Sequence, residues 1–223
     1  MKRRTFIKTS AVLSSLALLP GCGGETATEA AGTTAAAPLT RLRTAHIGIG
    51  VQGFEDLKAV SSHDKVDVIA LCDVDANKLE AAHKLFPNAK VYKDYRVMLK
   101  EVGDEVDAVV VATPDHSHAP ASMMAMEMGK NEYCQKPLTH HVTEARAMRK
   151  IAEDKDLVTQ MGIQVHSFYD YKLATMLIRS GIIGKVSSVR AWSPKNWGYD
   201  GPVPVGEDPV PDYLDWNLWL GTS

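Results

Sequence analysis

Gly48, Gly50 and Gly53 have the spacing G-x-G-x-x-G, which is typical of a turn that wraps its backbone around a pyrophosphate. In such a turn the first glycine allows a tight bend, the second lets the phosphate approach, and the third lets helix and strand pack closely. A strand pattern (43–47) precedes the glycines and a helix pattern (54–60) follows them, which favours this interpretation over an ordinary glycine-rich turn. The predicted dinucleotide-binding residues of this turn are Gly48, Gly50, Val51, Gln52 and Gly53.

Asp73 is the acid expected to meet the ribose of such a dinucleotide. It lies about 20 residues beyond the glycines and follows a largely apolar run, 66–72, which is typical of a strand buried on both faces. A carboxylate there accepts hydrogen bonds from both ribose hydroxyls and repels a 2′-phosphate, so the sequence favours NAD over NADP. Asp75 is a second candidate for this role, but we expect it to cap the helix that starts at Ala76.

Two later segments place polar side chains after predicted strands. Thr113, Pro114 and His118 follow one strand, and Lys136 follows the next. Because the carboxyl ends of parallel strands meet at one edge of a sheet, we expect these residues beside the cofactor. Lys136 would orient a substrate hydroxyl or the nicotinamide amide. For an isolated lysine, the alternative is a solvated surface position.

The histidines and cysteines predict neither a metal site nor a disulfide. His116 and His118 are two residues apart, but no carboxylate or cysteine set with ligand spacing accompanies them. Cys72 and Cys134 end different predicted strands, which are not neighbours in the usual strand order of such sheets. We therefore expect two buried thiols.

These candidate residues need a framework, and the alternation of strand and helix patterns from residue 43 to 161 supplies it. The pattern predicts an α/β fold with a doubly wound parallel sheet. Its six predicted strands are 43–47, 66–72, 90–92, 107–112, 131–134 and 157–161. We assign residues 41–161 to this dinucleotide-binding domain.

Residues 162–223 have a different pattern, which indicates the beginning of an α+β substrate domain. A helix is predicted at 169–180, and the alternation at 185–192 predicts an antiparallel strand. The following stretch is rich in Pro, Gly and Asp and carries aromatic residues that could stack on sugars, although we favour packing between domains or subunits. The tryptophans here are Trp192, Trp197, Trp216 and Trp219.

The first 40 residues resemble a bacterial export and anchoring segment. Arg3-Arg4 followed by Phe6 and a short apolar run is similar to a twin-arginine signal, with a Sec signal as the alternative. Leu19-Pro20-Gly21-Cys22 resembles a lipobox, although proline departs from the usual small residue, and cleavage nearby without lipidation is the alternative. We predict a signal peptide at 1–22, a flexible tether at 23–40, and a periplasmic or lipid-anchored protein.

Charge gives no indication of a nucleic-acid partner. The signal holds four of the 25 basic residues and no acids, so the remainder has 21 basic and 27 acidic residues, a formal charge of −6. The basic residues form no long patch. We expect a small carbohydrate as the partner, and a homo-oligomer for the full-length protein.

Taken together and in this order, the motifs resemble those of the glucose–fructose oxidoreductase / inositol dehydrogenase family, also called Gfo/Idh/MocA. The resemblance extends from Arg41 to Ser223, and its segments are Gly48–Gly53, Cys72-Asp73, Thr113–His118, Gln135-Lys136-Pro137 and 179–186. One position departs from the family, which usually has Glu-Lys-Pro where this chain has Gln135. The resemblance implies a Rossmann domain, with Lys136 near the nicotinamide and the reacting carbon. It also implies that His118 lines the cleft, and that Gln164 and His166 reach into it, with His166 as a second catalytic candidate beside Lys136.

The resemblance further implies an NAD(P)-dependent oxidoreductase acting on a CH–OH group of a sugar, polyol or glycoside. Export suggests a tightly held cofactor, because the twin-arginine route moves folded proteins and free NAD is scarce outside the cytoplasm. The family's later catalytic histidine has no counterpart before Ser223, so we expect a truncated chain. Two alternatives stay open: glycoside cleavage through transient oxidation, and a non-catalytic carbohydrate-binding lipoprotein on a degenerate fold.

Overall fold

The computed structural model describes residues 40–194, 200–203 and 205–221. The predicted signal peptide, Cys22, Trp197 and nearly all of the tether lie outside these ranges and stay predictions. No helix in the described ranges is long and apolar enough to cross a membrane.

A six-stranded sheet lies at the centre of the described chain. Its strands are β1 (Leu42–Ile47), β2 (Val66–Cys72), β3 (Lys90–Tyr92), β4 (Ala108–Val111), β5 (Asn131–Gln135) and β6 (Thr159–Gly162). They lie in the order β3-β2-β1-β4-β5-β6, and every neighbouring pair is parallel. The order reverses between β1 and β4, as in doubly wound sheets. The predicted fold of the first domain is confirmed, whereas the boundary at residue 162 stays a prediction.

In the described residues, five α-helices connect the strands, and two further helices follow the last strand. They are α1 (Val51–Ser61), α2 (Ala76–Leu85), α3 (Tyr95–Val102), α4 (His118–Glu127), α5 (Val142–Asp154), α6 (Tyr169–Arg179) and α7 (Trp216–Leu220). Asp75 caps α2 as predicted, because its side chain accepts hydrogen bonds from the backbone N–H of Asn77 and Lys78.

The core lies on both faces of the sheet. Leu71 of β2 packs with Leu57 of α1 and Leu79 of α2 on one face. On the other face, Val109 of β4 belongs to a cluster that includes Leu99 of α3. Burial on both faces explains why the central strands are almost continuously apolar.

The two sheet cysteines are buried and unbridged, as predicted. Cys72 lies on β2 and Cys134 on β5, with β1 and β4 between them. Burial raises the pKa of both thiols, that of Cys134 to about 12. Both are therefore neutral, inert core residues at ordinary pH.

The predicted strand at 185–192 is wrong, because this segment has no strand pairing and is exposed. An alternating segment becomes a strand only when a neighbour satisfies its backbone hydrogen bonds, and no other described residues supply one. The sequence also gave no indication of α7. This short helix belongs to the return segment, defined here as Tyr213–Leu220, which lies against the loop after β2.

Candidate cofactor site

The glycine turn between β1 and α1 has the geometry that its spacing predicts. Gly48 has a φ of +82°, and a Cβ there would lie 2.7 Å from backbone atoms of Ala112 and Thr113. A Cβ on Gly53 would overlap the carbonyl oxygen of Gly48. By contrast, a Cβ on Gly50 would meet nothing within 4 Å, so open space lies at the position where a phosphate would approach. Gly48 and Gly53 must therefore be glycine for the chain to fold in this way. At Gly50 the fold would accept a side chain, and glycine there leaves room for a phosphate.

Asp73 holds the turn in place through both carboxylate oxygens. Its Oδ2 accepts a hydrogen bond from the Ile49 N–H at 2.6 Å, and its Oδ1 accepts one from the Asp75 N–H at 2.8 Å. Burial raises the pKa of this carboxyl, and the two backbone hydrogen bonds oppose that effect. Each oxygen retains a second lone pair, so Asp73 can still accept hydrogen bonds from ribose hydroxyls.

Thr113 and Pro114 line the pocket directly, whereas His118 lies beneath it. His118 is 1% exposed, with Nδ1 2.6 Å from the Pro137 carbonyl oxygen and Nε2 2.7 Å from that of Thr113. The ring thus joins the loops that follow β4 and β5. The Thr113 hydroxyl is buried and has no hydrogen-bond partner among the described residues, as expected for a group that a ligand would satisfy.

The remaining predicted residues follow β5 and β6 at the same edge. Lys136 is exposed, and its ammonium group has no acceptor among the described residues. Gln164 and His166 lie in an exposed 3₁₀ turn after β6. The His166 ring stacks on Tyr171, with centroids 5.2 Å apart, so the structure gives this histidine a local packing role.

The return segment forms the outer wall of the pocket. It pairs with the loop after β2, where Asp215 N–H donates to the Val74 carbonyl at 3.0 Å and Ala76 N–H donates to the Tyr213 carbonyl at 2.8 Å. Its other end lies on the loop after β4, because His116 Nε2 is 2.9 Å from the Trp219 carbonyl oxygen. The segment therefore spans two loops on either side of the glycine turn.

One cavity of about 370 Å³ brings these parts together. Of the predicted residues, it is lined by Gly48, Gly50, Asp73, Thr113 and Pro114. The other predicted residues do not line it: Val51, Gln52, Gly53, His118, Lys136, Gln164 and His166. The lining residues are those expected beside the phosphate and adenosine groups of a dinucleotide.

The match to a known protein family agrees with this geometry. Residues 42–163, more than half of the chain, match the model of the Gfo/Idh/MocA oxidoreductases, described as having an NAD-binding Rossmann fold. The chain belongs to the Gfo/Idh/MocA family. The resemblance drawn from the motifs is thus confirmed, and the open space at Gly50, the orphan Thr113 hydroxyl and Asp73 fit the NAD-binding site that this family carries.

The chain is similar to parts of several longer proteins. A glycosyl hydrolase family 109 protein of Stenotrophomonas maltophilia is 33% identical over 146 residues, 60% of this chain and 29% of its own length. An inositol 2-dehydrogenase of Salmonella typhimurium is 32% identical over 149 residues, 65% of this chain and 43% of its own length. The solved myo-inositol 2-dehydrogenase of Lactobacillus plantarum is 28% identical with a TM-score of 0.61, over 66% of this chain and 43% of that one. The chain therefore spans less than half the length of these relatives.

The sequence did not predict several pocket residues. On one side the cavity is lined by Lys78 of α2, Lys93 of the loop after β3 and Tyr95 of α3. On the other side it is lined by Leu214, Leu218 and Trp219 of the return segment. For the return segment, the sequence offered one indication, the tryptophans near residue 216. They predicted packing but did not show which residues they pack against. Trp216 and Trp219 stack on each other, with centroids 4.9 Å apart, and Trp219 contacts the ring of His116.

Proposed function

We propose that the full-length protein is an exported, NAD-dependent oxidoreductase that acts on a CH–OH group of a sugar or polyol and holds its cofactor tightly. Membership of the Gfo/Idh/MocA family supports the oxidoreductase class. The inositol dehydrogenases among its relatives support the substrate class. Export, lipid attachment at Cys22 and a homo-oligomeric state are part of the proposal and depend on the sequence.

The observation that carries the proposal is the convergence of chemistry at one sheet edge. The glycine turn follows β1, Asp73 follows β2, Thr113 follows β4, and Lys136 follows β5. A dinucleotide that lies across the switch point between β1 and β4 would meet the first three with its adenosine and phosphate groups. Its nicotinamide end would then lie on the side of β5 and Lys136.

The protein's own groups have distinct tasks in this arrangement. A bound nicotinamide supplies hydride transfer to or from the substrate carbon. Lys136 donates a hydrogen bond to the substrate oxygen and stabilises negative charge that develops there. His118 fixes the loops that carry Thr113 and Lys136, and Asp73 holds the ribose. Gln164 and His166 lie at the same edge and are proposed to contact the nicotinamide side.

Two features favour NAD and its tight retention. Asp73 offers a carboxylate where NADP would place a phosphate, although Lys78 and Lys93 bring positive charge to the same cavity. The return segment closes the outer wall through hydrogen bonds to both neighbouring loops. Release of the dinucleotide would then require these contacts to open, which suits an enzyme that leaves the cytoplasm with its cofactor already bound.

The direct test is turnover by the full-length protein and a Lys136→Ala variant. We expect NADH formation from NAD⁺ with myo-inositol or a related polyol. In K136A we expect a kcat lower by about 10²- to 10⁴-fold, with NAD⁺ binding retained. Lys150→Ala, which removes an exposed lysine paired with Asp154, serves as the matched control and is expected to act like wild type. Equal kcat values for K136A and wild type would exclude the proposed role of Lys136. Cleavage of p-nitrophenyl glycosides without net NADH formation would show that the protein cleaves glycosides and would overturn the proposed net oxidation.

A further inference from the structure

Asp56, a buried acid of α1, accepts hydrogen bonds from two side-chain amides. Gln52 Nε2 donates to its Oδ1 at 3.0 Å, and Gln135 Nε2 donates to its Oδ2 at 2.8 Å. Asp56 is 8% exposed and Gln135 is 6% exposed. A buried carboxylate is costly unless donors surround it, so this pairing is specific to the residue types present.

Gln135 also contacts the residue proposed to act on the substrate. Its Oε1 accepts a hydrogen bond from the backbone N–H of Lys136 at 3.2 Å. Gly162 of β6 leaves room for this amide, because a Cβ there would lie 2.8 Å from its atoms. The donor end of one buried amide therefore bonds to α1, and its acceptor end bonds to the backbone of Lys136.

We propose that Asp56 is a positioning residue that connects the dinucleotide-binding turn to Lys136. Through Gln52 it holds the first turn of α1, which faces the phosphates. Through Gln135 it holds the start of the loop that carries Lys136. The proposal rests on the proposed function, since it assumes that the turn and Lys136 contact the same cofactor.

The chemistry of the pair explains why position 135 has an amide. Glutamate at 135 would place two carboxylates at hydrogen-bonding distance and remove the donor to Asp56. Asparagine at 56 would turn a donor toward Gln135, whose amide would then have to rotate and withdraw its acceptor from Lys136. Exchanging both residues restores the pattern, because a glutamate at 135 accepts from the new asparagine and from the Lys136 N–H.

The test compares wild type, Asp56→Asn, Gln135→Glu and the double variant in the full-length protein. NADH affinity is measured by fluorescence titration, and thermal unfolding is recorded without cofactor. Breaking a hydrogen bond to a charged group typically weakens such an interaction by about tenfold or more. We expect a loss of about this size in NADH affinity for each single variant, and recovery to within about threefold of wild type in the double variant. In a Lys136→Ala background, the effect of Gln135→Glu on kcat should shrink, because the side chain whose position Gln135 controls is then absent.

The outcomes separate this inference from the proposed function. If the single variants unfold at lower temperature but bind NADH like wild type, Asp56 is structural and the inference fails. It also fails if the double variant binds no better than the weaker single variant. Should a single variant not fold, Gln52→Ala leaves the buried Asp56–Gln135 pair intact and must still weaken NADH binding. Wild type that binds no NAD(H) would overturn the proposed function, and the inference with it.

Discussion

At the residue scale, Asp73 holds the glycine turn and is proposed to bind the ribose. Substitutions at Asp73 and at its neighbour Asp75 can show which of the two carboxylates binds the ribose. Asp73→Asn retains one acceptor for the turn but loses the charged acceptor for the ribose, so we expect at least about tenfold weaker NADH binding and a smaller preference over NADPH. Asp75→Asn is the matched control, because asparagine caps a helix as well as aspartate does. Titrations of both nucleotides provide the measurement. Equal losses in the two variants would show that Asp73 has no special role toward the ribose.

At the same scale, Glu132 of β5 is predicted to make the free energy of unfolding depend on pH. It is 4% exposed, and neither carboxylate oxygen has a hydrogen-bond partner among the described residues. Arg149 and Glu153 of α5 line the cavity beside it. Burial raises the pKa of Glu132 from 4.5 to about 8 in the folded chain.

Between these two pKa values the folded chain holds a proton that the unfolded chain has lost. The stabilising contribution is therefore complete below about pH 4.5 and is lost as pH rises to about 8. The loss amounts to up to about 1.4 kcal/mol per pH unit. Glu132→Gln should flatten this dependence and raise the free energy of unfolding at pH 8, measured by chemical denaturation across the range. The exposed Glu207→Gln should leave the curve of wild type unchanged. If the free energy of unfolding has the same pH dependence between pH 5 and 8 in wild type and E132Q, the raised pKa of Glu132 would be contradicted.

At the scale of elements, the return segment is predicted to govern release of the cofactor. Trp219→Ala removes the ring that lines the cavity and contacts His116, so the NADH dissociation rate should increase by about tenfold. The control is Trp192→Ala, since Trp192 is 83% exposed and loses little packing. Stopped-flow displacement of bound NADH by excess NAD⁺ measures both rates. Equal rates for the W219A variant and wild type would mean that the segment does not restrain the dinucleotide.

Elements with local signals could be predicted from the sequence, and those that depend on distant partners could not. The apolar run at 66–72 predicted β2 with its observed bounds, and Asp75 predicted the start of α2, because both signals act locally. The return segment was not predicted, since its hydrogen bonds join residues more than 100 positions apart, as between His116 and Trp219. The strand predicted at 185–192 was wrong for the same reason, because an alternating pattern cannot show whether a neighbouring strand is present to pair with it.

The candidate site divides along the same line. Gly48, Gly50 and Asp73 were predicted from local spacing, and they line one cavity. Val51, Gln52 and Gly53 of the same turn do not line it. The sequence placed His118 at the cofactor, but the fold gives its ring two carbonyl partners and a place beneath the loops. The connection of Gln135 to Asp56 joins residues 79 positions apart. Only the folded sheet edge brings such a pair together.

At the scale of the whole molecule, the protein is proposed to consist of an export segment, a dinucleotide-binding domain and a substrate domain. The central claim is that this domain holds a dinucleotide as a resident group. The most direct measurement is to purify the full-length protein without added nucleotide, denature it, and identify what it releases by chromatography and mass spectrometry. The account predicts NAD⁺ or NADH in nearly equimolar amount to protein. A folded preparation that releases neither NAD(H) nor NADP(H) would contradict it.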